Sequence, residues 1–408
     1  MSKITKYPFS QLYDMASGIS STKEQAGHGS PFISFSTVFN NYFLPDVLPD
    51  LMNTSLQEQN TYSVKEGDIF VTRTSETIDE LAMSCVALKD YPCATYSGFT
   101  KRLRPKTEGV VYHKYLAFYL RGSLFRKSVT NNAFMTLRAS FNEDIFSFLN
   151  IYLPEYDEQI KIGDMLYAME QKIAVNKRIN DNLEQQAKLL YDYWFTQFDF
   201  PDENGKPYRS SGGEMVWNEE LKREIPKGWE VTSIDKITRN YDAKRVPLSQ
   251  NERNSMKGTI PYYGATGIMD YVNQHIFDGQ YILIAEDGSV MDANGNPIVQ
   301  IIWGKSWINN HAHVLEGCNG YSNELLYLLV KQLPVVKIMT GSIQKKINQD
   351  NLNNYKIPYI PQEIAQVFLD IVKPIFEKIR VINEENNELA KLRDWLLPML
   401  MNGQATVE

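Results

Sequence analysis

Cysteine and histidine are the scarce residues of this sequence, three and five in 408. Cys85, Cys93 and Cys318 form no CxxC pair and no even framework, which excludes a disulfide-stapled secreted fold and a cysteine-based metal centre. His311 and His313 stand two apart, as two ligands on one strand face would, but no third ligand follows at a convincing spacing, and no metal is expected. No stretch approaches the ~18 uninterrupted apolar residues of a membrane span, and the first residues carry no apolar leader core, so a cytoplasmic chain without a membrane partner is expected.

Motifs of catalysis are lacking as well. Gly304-Lys305-Ser306 ends like a phosphate-binding loop, but Val299 stands where the first glycine belongs and the backbone could not wrap a phosphate. Pro201-Asp202 and Glu220-Leu221-Lys222 have the residue types of a metal-dependent nuclease, yet they lie in a polar, turn-rich stretch rather than on adjacent strands. The glycine-rich loop and Asn-Pro-Pro-aromatic segment of an amino-methyltransferase are missing, and no Ser or Cys sits on a recognisable nucleophile elbow. The reading is a chain with no catalytic residue and no cofactor of its own.

What is present is a repeat. Pro154 with Gln159-Ile160 returns as Pro361 with Gln366-Val367, and Ile179-Asn180 with Ala187-Lys188-Leu189 returns as Ile382-Asn383 with Ala390-Lys391-Leu392. Both segments have a heptad pattern. The first seam runs Ile162, Leu166, Met169, Ile173, Asn176, Asn180, Leu183, Ala187, Leu190 and Trp194; the second runs Val372, Ile375, Ile379, Ile382, Asn386, Leu389, Arg393, Leu396 and Leu400. Asparagines near the middle of a seam fix register and partner choice, which points to two helices that recognise each other. Pro374 should kink the second helix or mark its effective start. The globular parts echo one another more loosely. Gly67-Asp68-Ile69-Phe70-Val71 aligns with Gly279-Gln280-Tyr281-Ile282-Leu283-Ile284, each read as a turn feeding a buried strand, and Thr136–Asn142 aligns with Ser342–Asn348.

The net charge of -7 is unevenly placed. Residues 151–224 and 356–408 carry most of the acidity, whereas Lys101, Arg102, Arg104, Lys106, Lys114, Arg121, Arg126, Lys127 and Arg138 face a single acid, Glu108, between 101 and 138. A local basic stretch is the electrostatic footprint expected of a phosphate-facing surface, and Lys331, Lys337, Lys345, Lys346 and Lys356 give the second half a weaker one.

Several segments together resemble the specificity subunits of type I restriction-modification systems. Ile225-Pro226-Lys227-Gly228-Trp229-Glu230 looks like the entry to a target-recognition domain and Pro154 to Ile162 like its exit. Leu392-Arg393-Asp394-Trp395-Leu396-Leu397-Pro398-Met399-Leu400 with Gly403 is similar to the family's terminal helix, and Tyr262-Tyr263-Gly264-Ala265-Thr266-Gly267 and Gly341-Ser342-Ile343-Gln344 resemble recurrent recognition segments. The resemblance implies an α+β chain: two α/β target-recognition domains, separated by two long helices that form an antiparallel coiled coil, in a pseudo-two-fold internal repeat. The boundaries expected are 1–153 for the first recognition domain, 154–198 for the first spacer helix, 199–224 for a linker, 225–360 for the second recognition domain and 361–408 for the second helix and tail. The first domain lacks the Ile-Pro-x-Gly-Trp entry of the second.

The resemblance further implies double-stranded DNA as partner, two methyltransferase subunits that carry S-adenosylmethionine, and restriction-translocase subunits that use ATP and Mg²⁺. A helix from about 158 to 195 would be roughly 55 Å long at ~1.5 Å per residue, more than one DNA turn of roughly 34 Å. For DNA contact the candidates are Arg73, Lys101, Arg102, Arg104, Lys106 and Arg138 in the first half, and Tyr262, Tyr263, Glu286, Asp287, Gln344, Lys345 and Lys346 in the second. Arg138 and Gln344 occupy equivalent places and suit guanine and adenine respectively. The rival reading is a coiled-coil scaffold or adaptor whose globular parts bind proteins.

Overall fold

The computed structural model describes residues 4–75, 77, 80–132, 139–292, 294–341 and 345–407. Two compact units emerge, residues 1–175 with 385–408 and residues 176–384.

In the first unit a four-stranded antiparallel sheet has the order Tyr13–Ser17, Thr100–Pro105, Ile69–Thr72, Ser84–Val86. Beside it a three-stranded sheet places Ala26–Ile33 between Asp50–Met52 and Thr95–Tyr96, the last pairing parallel. The second unit joins the same strands into one six-stranded sheet, in the order Thr238–Asn240, Ala312–Gly317, Phe277–Ala285, Val299–Ile308, Lys257–Tyr263, Ile268–Val272. Its parallel step, Tyr262 and Tyr263 against Trp307 and Ile308, matches Phe32 and Ile33 against Thr95 and Tyr96.

The central strands show why the sequence folds this way. Side chains alternate faces along a strand, so a strand covered on both sides must be apolar throughout. In the first unit Ile69 and Val71 enter the core under helix His113–Arg121, while Phe70 joins Cys85 and Tyr96 in a second core. In the second unit Ile282 and Ile284 pack with helix Asn323–Val330, and Leu283 enters the opposite core with Ile302 and Val314. Ile69 stands across from Leu103 and Ile282 across from Leu315, so Ile69 corresponds to Ile282. The sequence alignment, which set Ile69 against Tyr281, is one residue out, and a one-residue slip in a strand reverses every face. Gly279 likewise lies inside strand Phe277–Ala285 rather than in a turn before it.

Tyr156–Tyr191 forms a 36-residue helix that passes into a π-helical turn, Asp192–Thr196, and Gln362–Met401 forms a 40-residue helix. Within the first unit the start of one meets the end of the other. Ile162 and Leu166 pack with Leu397, Leu400 and Met401, and Arg393 pairs with Glu170. Within the second unit the ends are exchanged, with Tyr191, Trp194 and Phe195 around Phe368, and Asn180 donating to Asn383 at 2.8 Å. In both units residue numbers rise along one helix as they fall along the other, which is antiparallel pairing. Pro374 does not mark the start of the second helix. Ala365, Phe368 and Val372 are buried ahead of it, and this packing holds the turn that the proline leaves one hydrogen bond short.

The polar stretch after the first helix is folded. Phe200 stacks on Tyr208 and Trp229, the buried Asp199 accepts from the backbone and hydroxyl of Ser210, and Met215–Asn218 pairs with Arg223–Pro226 as a hairpin. The aromatic stack supplies the apolar contact that a turn-rich sequence would otherwise lack.

Candidate nucleic-acid interface

Among the basic residues of the first unit, Lys101, Arg102 and Arg104 lie on strand Thr100–Pro105 and Lys114 and Arg121 on helix His113–Arg121, and these five have partners within the unit. Arg104 grips the fully buried Asp68 (Nε to Oδ1 2.7 Å) and donates to the Ser63 carbonyl at 2.8 Å. Arg102 donates to the same carbonyl at 2.8 Å and lies over the Tyr96 ring. Arg121 holds the carbonyls of Ser84, Val38, Phe39 and Asn41, and Lys114 pairs with Asp164 at 2.7 Å. Side chains two apart on a strand share a face, and Arg102 and Arg104 meet Ser63 and Asp68 on theirs. Lys101 is buried, its ammonium 2.7 Å from Ser17 Oγ, and burial first and the Arg73 charge second hold its pKa below the ordinary lysine value. Lys106 is more open, bound to Asp14 at 3.0 Å. Arg73 is exposed with one long bond, 3.4 Å, to the Gly98 carbonyl.

In the second unit Tyr262 lies inside the fold. It is a core side chain whose hydroxyl accepts from the Leu248 amide at 3.0 Å, while Tyr263 and Lys345 are half-buried. Arg138 and Gln344 lie outside the described residues.

Glu286, Asp287 and Lys346 converge with three residues that sequence reasoning did not single out or left unpartnered: Asp242, Arg245 and His313. His313 Nδ1 lies 2.6 Å from Asp242 Oδ2, and its Nε2 lies 3.0 Å from the Ile347 carbonyl. Glu286 binds Arg245 at 2.7 Å and Lys346 at 2.8 Å, and Arg245 also lies 3.5 Å from Asp242. His311 turns to Asp287 at 2.7 Å, so the two histidines do not share a ligand position. Burial is the largest influence on His313 and opposes its charge, but the Asp242 hydrogen bond and charge, the Ile347 carbonyl and Glu286 outweigh it, and its pKa is raised. Asp242 and Glu286 are likewise opposed by burial and are nonetheless held below their usual range, Asp242 by His313 and Arg245, Glu286 by Lys346 and Arg245. Asp242, Glu286 and His313 offer ligand atoms within 4.8 Å of one another, but Arg245 and Lys346 already balance both carboxylates, so the group is a closed ion-pair network.

The two units place these residues at matching positions. The Arg73 amide donates to the Phe99 carbonyl and its carbonyl accepts from Phe141; the Glu286 amide donates to His311 and its carbonyl accepts from Ile347. Lys101 lies opposite Val71 and His313 opposite Ile284, each bound to the adjacent chain at Ser17 or Asp242. Arg73 thus corresponds to Glu286 and Lys101 to His313, at the ends of the same strands.

Along the helices Ile162, Leu166, Ile173, Asn176, Ile379 and Ile382 are buried, and Met169, Asn180, Leu183, Leu190, Asn386, Leu389 and Leu396 are half-buried. The partner of Asn180 is Asn383 rather than a residue of the expected second seam, and Phe368, Phe376 and Leu397 are buried outside it. A straight helix drifts about 20° per heptad from a strict seven-residue repeat, which moves burial to neighbouring positions over so long a helix.

A family model described as the type I restriction modification DNA specificity domain matches residues 9–185 and again 226–391. The type I restriction enzyme MjaIX specificity subunit of Methanocaldococcus jannaschii is 29% identical, over 94% of this chain and 92% of that protein. A putative type I restriction enzyme specificity subunit of Haemophilus influenzae is 32% identical over 34% of this chain and 35% of its own length. Among solved structures, the type I restriction-modification S subunit from M. genitalium aligns with a TM-score of 0.54 at 16% identity, covering 98% of this chain and 96% of that one, a likeness of fold.

Proposed function

Given that the chain belongs to the type I restriction-modification DNA specificity family, we propose that it is the DNA sequence-recognition subunit of such a complex, each globular part reading one half of a split target. The observation that carries this is the doubled architecture: two units with matched strand order, each overlapping one copy of the specificity-domain match. A split target needs two independent readers and an element that fixes their spacing, and the long helices are that element. An adaptor for proteins would have no use for a duplicated DNA-specificity domain.

In this reading the chain performs no chemistry. Its partners are double-stranded DNA, two methyltransferase subunits supplying S-adenosylmethionine chemistry, and restriction-translocase subunits using ATP and Mg²⁺. The acidic helical segments are subunit-docking surface, and the methyltransferase partners supply much of the phosphate contact that a chain of net charge -7 lacks. The setting is the cytoplasm; among the described residues no helix is long and apolar enough to cross a membrane. Deleting the gene and sequencing the methylated bases of its host tests the reading. Loss of one split adenine-methylation motif is the expected result, and an unchanged methylation pattern would overturn it.

A further inference from the structure

Both ring nitrogens of His313 face acceptors: a carboxylate oxygen of Asp242 at 2.6 Å and the backbone carbonyl of Ile347 at 3.0 Å. A neutral imidazole carries one N–H and satisfies only one of them; the imidazolium carries two and satisfies both. The side chain is 2% exposed, so water does not replace a lost partner cheaply.

What the second bond holds is strand Lys346–Ile347. It pairs with Met339–Thr340, its Ile347 amide donates to Glu286, and the half-exposed Lys346 ammonium is tied to the Glu286 carboxylate. Besides the Met339–Thr340 pairing, the strand is fastened to the sheet through Glu286, through a β-bridge between Lys346 and Asp287, through the buried Ile347 side chain and through His313. Around His313 stand Asp242, Glu286 with its nearer oxygen 3.8 Å away, Arg245 bound to both carboxylates, and Lys346; His311 and Asp287 pair at the exposed edge. In the first unit the matching position is Lys101, another basic side chain, whose ammonium lies 2.7 Å from Ser17 Oγ.

We infer that His313 is a positioning residue that, as the imidazolium, fixes strand Lys346–Ile347 and its lysine for recognition of one half-site by the second unit. Deprotonation breaks one of its two bonds and loosens the strand at Ile347. The inference rests on the DNA-reading function proposed above.

The test uses the complete complex with its methyltransferase subunits. Methylation is measured on the cognate split target and on targets with single-base changes in either half, from mildly acidic to alkaline pH. His313→Gln should lower discrimination in the second unit's half-site about tenfold, the scale of one base contact, and leave the other half-site unchanged. Wild-type discrimination in that half-site should decline as pH rises through the His313 transition. His313→Lys, which copies the first unit's cation, should restore discrimination and remove the decline. Unchanged discrimination in His313→Gln, equal loss at both half-sites, or failure of the lysine variant to restore it overturns the inference. A wild-type complex that methylates without any split target would instead sink the functional reading itself.

Discussion

Arg104→Ala separates the two roles available to a basic residue in the first unit. Asp68 is fully buried, and Arg104 supplies its guanidinium, with two contacts to the carboxylate and a third to the Ser63 carbonyl. Removing one partner of a buried pair leaves an uncompensated charge, at a typical cost of about 3–5 kcal/mol. The Arg104 side chain keeps 27% of its exposure, and Asp68 retains the Lys65 amide at 2.8 Å, so we take about 3 kcal/mol. For a unit of this size that lowers the melting temperature by about 6–12 °C. Calorimetry should show the shift in the first unit's transition only, and Asp68→Asn in the same chain should recover part of it, because the group left behind is then neutral. An unchanged melting profile together with weakened DNA binding would refute the reasoning and return Arg104 to the DNA surface.

Phe368→Ala empties the contact among Tyr191, Trp194 and Phe195 and should cost about 3–5 kcal/mol in the second unit, with red-shifted tryptophan emission as Trp194 meets water. Asn180→Ala removes a bond that is largely exposed to solvent, and chemical denaturation should register about 1 kcal/mol or less. The second unit should have a two-sided pH profile of stability. Asp242 and Glu286 are held low, so their contribution is present above the unfolded carboxylate values near 4 and is lost as pH falls through the folded ones. His313 is held high, so its contribution is complete below the unfolded imidazole value of about 6.5 and is lost as pH rises through the folded one. His313→Gln should abolish the alkaline limb in a melting-temperature series and, because His313 helps to hold Asp242 low, make the acid limb shallower; persistence of the alkaline limb would assign it elsewhere.

The repeat and the long helices were legible because periodicity is local: apolar residues three and four apart declare a helix wherever they occur. Strand register was less so. Gly67 and Gly279 invited an alignment that the pairing of Ile69 with Leu103 and Ile282 with Leu315 moves by one residue. The internal partners of the basic stretch were hidden for a different reason. Counting charge between 101 and 138 registers Glu108 but not Asp68, which the fold brings to Arg104 from 36 positions away. The network at His313 was hidden in the same manner, since Asp242 reaches it from 71 positions upstream. Its one local signal, the histidine pair at 311 and 313, suggested ligands on a common face, whereas the chain sends one to the half-buried Asp287 and the other inward.

The doubled architecture requires that two readers act independently along one chain. Replacing residues 1–150 with the equivalent part of a relative of different specificity, and sequencing the methylated bases made by the resulting complex, tests it directly. The expected target is changed in one half only, with the other half and the spacing preserved; a change in both halves, or in neither, would rule out independent readers.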